Sequence, residues 1–74
     1  MGTETEVRAQ MPGKILNVKK NVGDKVESEE ELMIMEAMKM ELPVFAPCAG
    51  TIKEVKVKAG ESAAANMILF VIES

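Results

Sequence analysis

A chain of 74 residues whose only aromatics are two Phe holds one domain at most, and Val, Ile, Leu, Met and Ala must fill its core. A formal charge of −3, with lysines spread along the chain, argues against a nucleic-acid partner, and no apolar run approaches the roughly 20 residues that a membrane-spanning helix needs. With no His and a single Cys, neither an internal disulfide, a zinc site nor a histidine-assisted nucleophile can be assembled.

Met1 to Glu6 read as an acidic tail ahead of a domain over residues 7–74. The tail is unlike a secretory signal, and Glu6 stands where a myristoylation start wants Ser or Thr, so a cytoplasmic protein is expected, or an organelle-matrix one in a eukaryote. From Gly13 to Lys19 aliphatics stand among lysines as in a strand, but Ile15 and Val18 fall on opposite parities, which predicts a bulge or sharp bend between them. The run ends at Val22-Gly23-Asp24, a turn signal. Glu29 to Leu42 is rich in helix formers, yet Leu32 to Ala37 also suits a short strand covered on both faces.

From Val44 the pattern starts again. A shift of 37 positions lays Val7 to Ala37 on Val44 to Ser74 without a gap, matching Ala9 with Ala46, Gly13 with Gly50, Ile15 with Ile52, Gly23 with Gly60, Leu32 with Leu69 and Glu36 with Glu73. Gly50 to Lys58 repeats the first strand with its parity break, Ala59-Gly60-Glu61 repeats the turn, and Ile68 to Ile72 is a plain strand run. Because that run is the copy of residues 31–35, strand replaces helix for the ambiguous segment. At least one of Gly23 and Gly60 is expected at positive φ. Pro12, Pro43 and Pro47 then fall near strand edges, and Cys48, the copy of Met11, is a small apolar residue at a strand end.

With Leu32 to Ala37 as one strand and Glu41 to Ala46 as the next, few residues remain between them, so Lys39 occupies the tip of a tight hairpin at the seam of the repeats. A lysine there presents a primary amine on a flexible four-carbon stem, the group an acylating enzyme needs. Met38 and Met40 flank it, an unusual place for apolar side chains in a charged chain.

Glu36-Ala37-Met38-Lys39-Met40 resembles the attachment signature of biotinyl domains, the biotin carboxyl carrier modules of carboxylases, decarboxylases and transcarboxylases. The resemblance runs from about Val7 to Glu73. Ala9-Gln10-Met11-Pro12-Gly13-Lys14-Ile15 is similar to the family's opening strand and turn, Val22-Gly23-Asp24-Lys25-Val26 to its first glycine turn, and Ala46-Pro47-Cys48-Ala49-Gly50-Thr51-Ile52 to the start of its second half. It implies an all-β fold, a flattened β-barrel (barrel-sandwich hybrid) of two four-stranded antiparallel sheets with pseudo-two-fold symmetry and the modified lysine opposite both termini. It further implies biotin bound covalently to Lys39, with Glu36, Ala37, Met38 and Met40 as the motif read by biotin protein ligase and by partner active sites. The domain itself would be a monomeric, non-catalytic carrier, taking a carboxyl group from a biotin carboxylase to a carboxyltransferase.

Glu29 and Asn66 stand where the family often has Gly. Asn tolerates positive φ and Glu does not, so the turn at Ser28 to Glu30 is expected to be looser or differently shaped. No loop is left over in the first half for the protruding thumb of some bacterial carriers. Two other readings of the same fold stay open. A lipoyl domain usually has Asp before its lysine and Ala or Val after it, and an unmodified interaction module would use Glu29 to Glu31 as a solvated or docking edge.

Overall fold

The computed structural model describes residues 3–74, which run through eight β-strands: β1 (Glu4–Arg8), β2 (Gly13–Val18), β3 (Lys25–Val26), β4 (Glu31–Ala37), β5 (Met40–Phe45), β6 (Gly50–Val55), β7 (Ser62–Ala63) and β8 (Ile68–Glu73). All pairings are antiparallel, and they build two four-stranded sheets in the orders β1-β8-β6-β3 and β5-β4-β2-β7. Each sheet therefore takes two strands from each repeat, and the expected all-β architecture is the observed one.

The repeat extends to individual hydrogen bonds. Gly23 N–H donates to Ile52 C=O and Gly60 N–H to Ile15 C=O, both at 2.8 Å, while Ile52 N–H and Ile15 N–H donate back to Asp24 and Glu61 C=O. Each half's glycine turn is thus clamped to the other half's long strand. Gly23 and Gly60 both have φ of 93°, a region closed to most side chains. The predicted parity break is present twice. The β2–β4 register skips Leu16, and the β6–β8 register skips Lys53.

Between the sheets lies a core with the same symmetry, in which Ile15 and Ile52, Leu32 and Leu69, and Met33 and Phe70 are fully or almost fully buried. The expectation that Leu32 to Ala37 is covered on both faces does not hold. The β4–β5 register skips Leu32, which lets two consecutive residues face the core, and from Met33 onward burial alternates, with Ile34 only half-buried.

Two further expectations change. Residues 4–6, assigned to the tail, belong to β1, where Glu4, Thr5 and Glu6 pair with Glu73, Ile72 and Val71. Sheet pairing outweighs the polar side chains because every second one can point to water. Met1 and Gly2 lie outside the described residues. The turn at Ser28 to Glu30 is not looser than its copy, since Glu29 at φ 69° and Asn66 at φ 66° take the same left-handed conformation. Glu29 N–H donates to Ala46 C=O at 2.8 Å and Asn66 N–H to Ala9 C=O at 2.7 Å. These cross-strand bonds hold Glu29 in a conformation it does not favour. Glu30 ties the same turn by accepting the Glu27 N–H and pairing with Lys20; the Lys20 hydrogen bond, then the Glu27 amide, hold its carboxyl below the usual range. That contribution is present above the ordinary carboxylate pKa and is lost as pH falls through the lowered one.

Two outcomes follow from these backbone conformations. Nothing lies within 4 Å of a Cβ built on Gly23 or Gly60, so only the φ penalty opposes substitution. Gly23→Val and Gly60→Val should each lower the unfolding free energy by about 1–3 kcal/mol in denaturant titrations, and midpoints matching the parent would contradict this. Conversely, Glu29→Asn puts the residue of the second repeat into the first and should stabilise by about 0.5–1 kcal/mol. A lower melting temperature for that variant would mean that Glu29 makes a compensating interaction.

Candidate functional site

β4 ends at Ala37 and β5 begins at Met40, and Ala37 and Met40 face each other as the last pair of the ladder. Only Met38 and Lys39 remain to turn the chain, one step tighter than the sequence pattern suggests. Both have positive φ, 53° and 65°. Positive φ at both central residues is the mark of a type I′ turn, whose twist matches that of the flanking strands and which strongly prefers Asn-Gly. Methionine and lysine are poor residues for it. Each is held left-handed at a cost of order 1–2 kcal/mol, which the β4–β5 ladder below must offset.

A loop of two residues has no slack with which to fold a side chain back onto the body. Met38 is 85% exposed and Met40 62%, and Lys39 is exposed between them. Among the described residues, no ion pair reaches the Lys39 ammonium. The tip is therefore a free primary amine between two thioethers, standing clear of the surface.

Below the tip the motif divides by exposure. Glu36 is exposed and lies across from Glu41 on β5 and Lys14 on β2. Ala37 is only 5% exposed, so it sets where the turn begins instead of offering a contact. Its neighbour is Gly13, which sequence reasoning did not single out for this site. A Cβ on Gly13 would lie 2.6 Å from the Glu36 carbonyl oxygen and 3.3 Å from the Ala37 Cβ. Glycine there lets the start of β2 press against the hairpin base and brings the loop before it, with partly exposed Met11, to the same end of the molecule. The repeat carried the signal, because Gly50, the copy of Gly13, meets the Glu73 carbonyl at the same 2.6 Å.

The other end has the matching arrangement. Thr3 and Ser74 exchange backbone hydrogen bonds of 3.0 and 2.9 Å, and the 37-residue shift maps them onto Met40 and Ala37. The pseudo-two-fold thus exchanges the hairpin with the paired termini.

A groove of about 460 Å³ between the edge strands β1 and β5, lined by Arg8, Met11, Leu42, Pro43 and Phe45 among others, does not include Lys39. No cluster of His, Cys, Asp or Glu able to hold a metal ion occurs among the described residues, and no helix there is long and apolar enough to cross a membrane. What the tip offers chemically is an accessible primary amine for acylation, set between two exposed thioethers.

Comparison with known proteins gives the same region a context. The model of the biotin-requiring enzyme family matches residues 5–72. A pyruvate carboxylase of Staphylococcus aureus is 44% identical over 69 residues, covering 93% of this chain and 6% of the carboxylase. A biotin carboxyl carrier protein of Streptococcus mutans is 47% identical over 64 residues, 86% of this chain and 49% of that protein. Among solved structures, the urea carboxylase of Kluyveromyces lactis superposes with a TM-score of 0.88 at 28% identity, over 95% of this chain and 6% of that one. The chain thus spans half or less of the length of these relatives.

The turn geometry has a measurable consequence. Met38→Asn combined with Lys39→Gly restores the residues a type I′ turn prefers and should stabilise the protein by about 1–2 kcal/mol while removing the amine. A double variant no more stable than the parent would show that Met38 and Lys39 are unstrained.

Proposed function

Since the chain belongs to the biotin-requiring enzyme family, we propose that Lys39 is the residue to which its biotin is joined, through an amide at Nζ, and that the chain works as a biotin carboxyl carrier domain. The observation that carries this reading is the strained two-residue turn, which holds Lys39 away from the body between two exposed methionines. A folded surface that expends stability to keep one amine clear of every neighbour is suited to modification. The residues fit the group, because the amine is unobstructed and the lysine stem adds reach.

Biotin, when attached, supplies a ureido nitrogen that can take up and give up a carboxyl group. The chain's own residues do the rest. Lys39 provides the nucleophilic amine for the biotin protein ligase and afterwards the tether. The β4–β5 ladder and the close approach of Gly13 fix where that tether starts. Met38 and Met40 offer adaptable apolar contacts to the ligase and to partner sites, and Glu36 adds a charge at the rim of the same surface.

The partners that complete the cycle are a biotin carboxylase and a carboxyltransferase, and the domain itself catalyses neither step. The name of the carrier-protein relative supports the carrier reading. Tethering raises the effective concentration of the carried group at both sites without a permanent interface, so the domain can remain a monomer.

Expression with an active biotin ligase, followed by intact-mass measurement, tests the attachment. The parent should gain the mass of one biotinyl group and Lys39→Arg none, with both folded; biotin on the Arg variant would place attachment at another lysine. A lipoyl-sized increment would instead indicate the related cofactor. Met38→Leu and Met40→Leu, nearly equal in volume and exposed, should shift stability by less than about 0.5 kcal/mol while slowing ligase loading or carboxyl transfer. Unchanged kinetics in both variants would retire their recognition role.

A further inference from the structure

The two thioethers beside Lys39 differ from the buried ones in a way that bears on chemistry as well as packing. Met38 and Met40 are 85% and 62% exposed, whereas Met33 is fully buried and Met35 is 4% exposed within the core. Sulfur is the most oxidisable atom in an otherwise aliphatic side chain, and its rate of attack by a dissolved oxidant follows access. The chain therefore holds two chemically identical pairs of methionines, one open to solvent at the tip and one sealed between the sheets.

We propose that Met38 and Met40 form a reversible oxidation site that switches the carrier off, with hydrogen peroxide as the oxidant. In the step itself the thioether sulfur uses a lone pair to form a bond to one peroxide oxygen. The O–O bond breaks, the sulfur is oxidised by two electrons to a sulfoxide, and the other oxygen leaves as water after proton transfer. Return to the thioether is a separate two-electron reduction by methionine sulfoxide reductases, one for each sulfoxide epimer, in which a dithiol is oxidised to a disulfide and the sulfoxide oxygen leaves as water.

The effect on function follows from position, and it rests on the reading of Lys39 as the acylated residue. A sulfoxide replaces an apolar, polarisable contact by a strongly hydrated acceptor, which an apolar pocket in a partner cannot satisfy. Both residues are exposed and adjoin Lys39 in the chain, so the altered surface is part of the one the ligase must cover. The fold does not register the change, because neither side chain contributes to the core and the strand pairing of Met40 uses only its backbone. The core methionines remain reduced for as long as the sheets stay closed. A device that changes recognition without changing stability is what a reversible switch needs.

The experiment uses the whole chain with Cys48 capped by N-ethylmaleimide, exposed briefly to dilute hydrogen peroxide and then freed of it. Peptide mass mapping should show Met38 and Met40 gaining oxygen at least about tenfold faster than Met33 and Met35, with Met11 between them. Loading by a biotin protein ligase with biotin and ATP should then slow by about fivefold or more, at an unchanged melting temperature, and recover after treatment with both reductases and dithiothreitol as the dithiol reductant. In the Met38→Leu, Met40→Leu double variant, treated and untreated protein should load at equal rates, whatever that rate is. Equal oxidation of core and tip methionines, or normal loading of protein oxidised at the tip, overturns the switch. Failure of the untreated parent to load would instead remove the assignment of Lys39, which the oxidation map leaves untouched.

Discussion

Four backbone hydrogen bonds that cross between the repeats hold the rest of the structure in place: Gly23 to Ile52, Ile52 to Asp24, Gly60 to Ile15 and Ile15 to Glu61. They tie the turn of each half to the long strand of the other, so neither half can close its own sheet. β3 is paired only with β6, and β7 only with β2, each a two-residue strand that would have no partner in an isolated repeat. Interlocking also completes the core. Ile15 and Leu32 of the first half are buried together with Ile52, Leu69 and Phe70 of the second, and a 74-residue chain has little other apolar area to bury. The fold should therefore form as one cooperative unit.

The same exchange determines where the functional end lies. A two-fold relation between halves of one continuous chain leaves two equivalent places at which the edge strand of one half meets the last strand of the other. At one of them the chain must be continuous, and there β4 turns into β5 at Met38 and Lys39. At the other the chain is not joined, and Thr3 and Ser74 pair across the gap. The hairpin and the paired ends of the chain are thus equivalent places in the two halves, one closed by the Met38-Lys39 turn and the other by the Thr3–Ser74 pairing.

Strain is distributed unevenly. Of the four described non-glycine residues at positive φ, two are Met38 and Lys39 and the other two, Glu29 and Asn66, are repeat equivalents at turns. Asn66 suits its place. Glu29 is held by cross-strand hydrogen bonding and by the Glu30 carboxylate, whereas the hairpin tip has only the ladder beneath it. Under the proposed role of Lys39, stability and function compete at the tip: residues that would relax the turn would also remove the amine and the apolar surface around it. The exposed methionines carry a similar conflict under their proposed recognition role, because the exposure that would let a thioether meet a partner also opens it to oxidants.

The amino-acid sequence by itself determined the duplication, the strand character of both halves, the glycine turns at Gly23 and Gly60, the bulges after Ile15 and Ile52, and the presence of a hairpin carrying Lys39. All of these are local, set by backbone angle or by the side-chain period of a strand, and the repeat allowed one half to settle what was ambiguous in the other, as Ile68 to Ile72 did for the helix-rich segment before Lys39. Only the tertiary structure decided which sheet each strand joins, because pairing partners lie dozens of residues apart and no local pattern encodes them. It also decided that Glu4 to Glu6 extend a strand, that Glu29 adopts a conformation its own preferences resist, and that Leu32 and Met33 both face inward through a register skip. In the functional motif, five adjacent letters could not reveal that Ala37 is buried against Gly13 while its neighbours Met38 and Lys39 stand in solvent. That division depends on the turn type and on the close approach of a strand more than twenty residues earlier in the chain, and both are properties of the packed molecule.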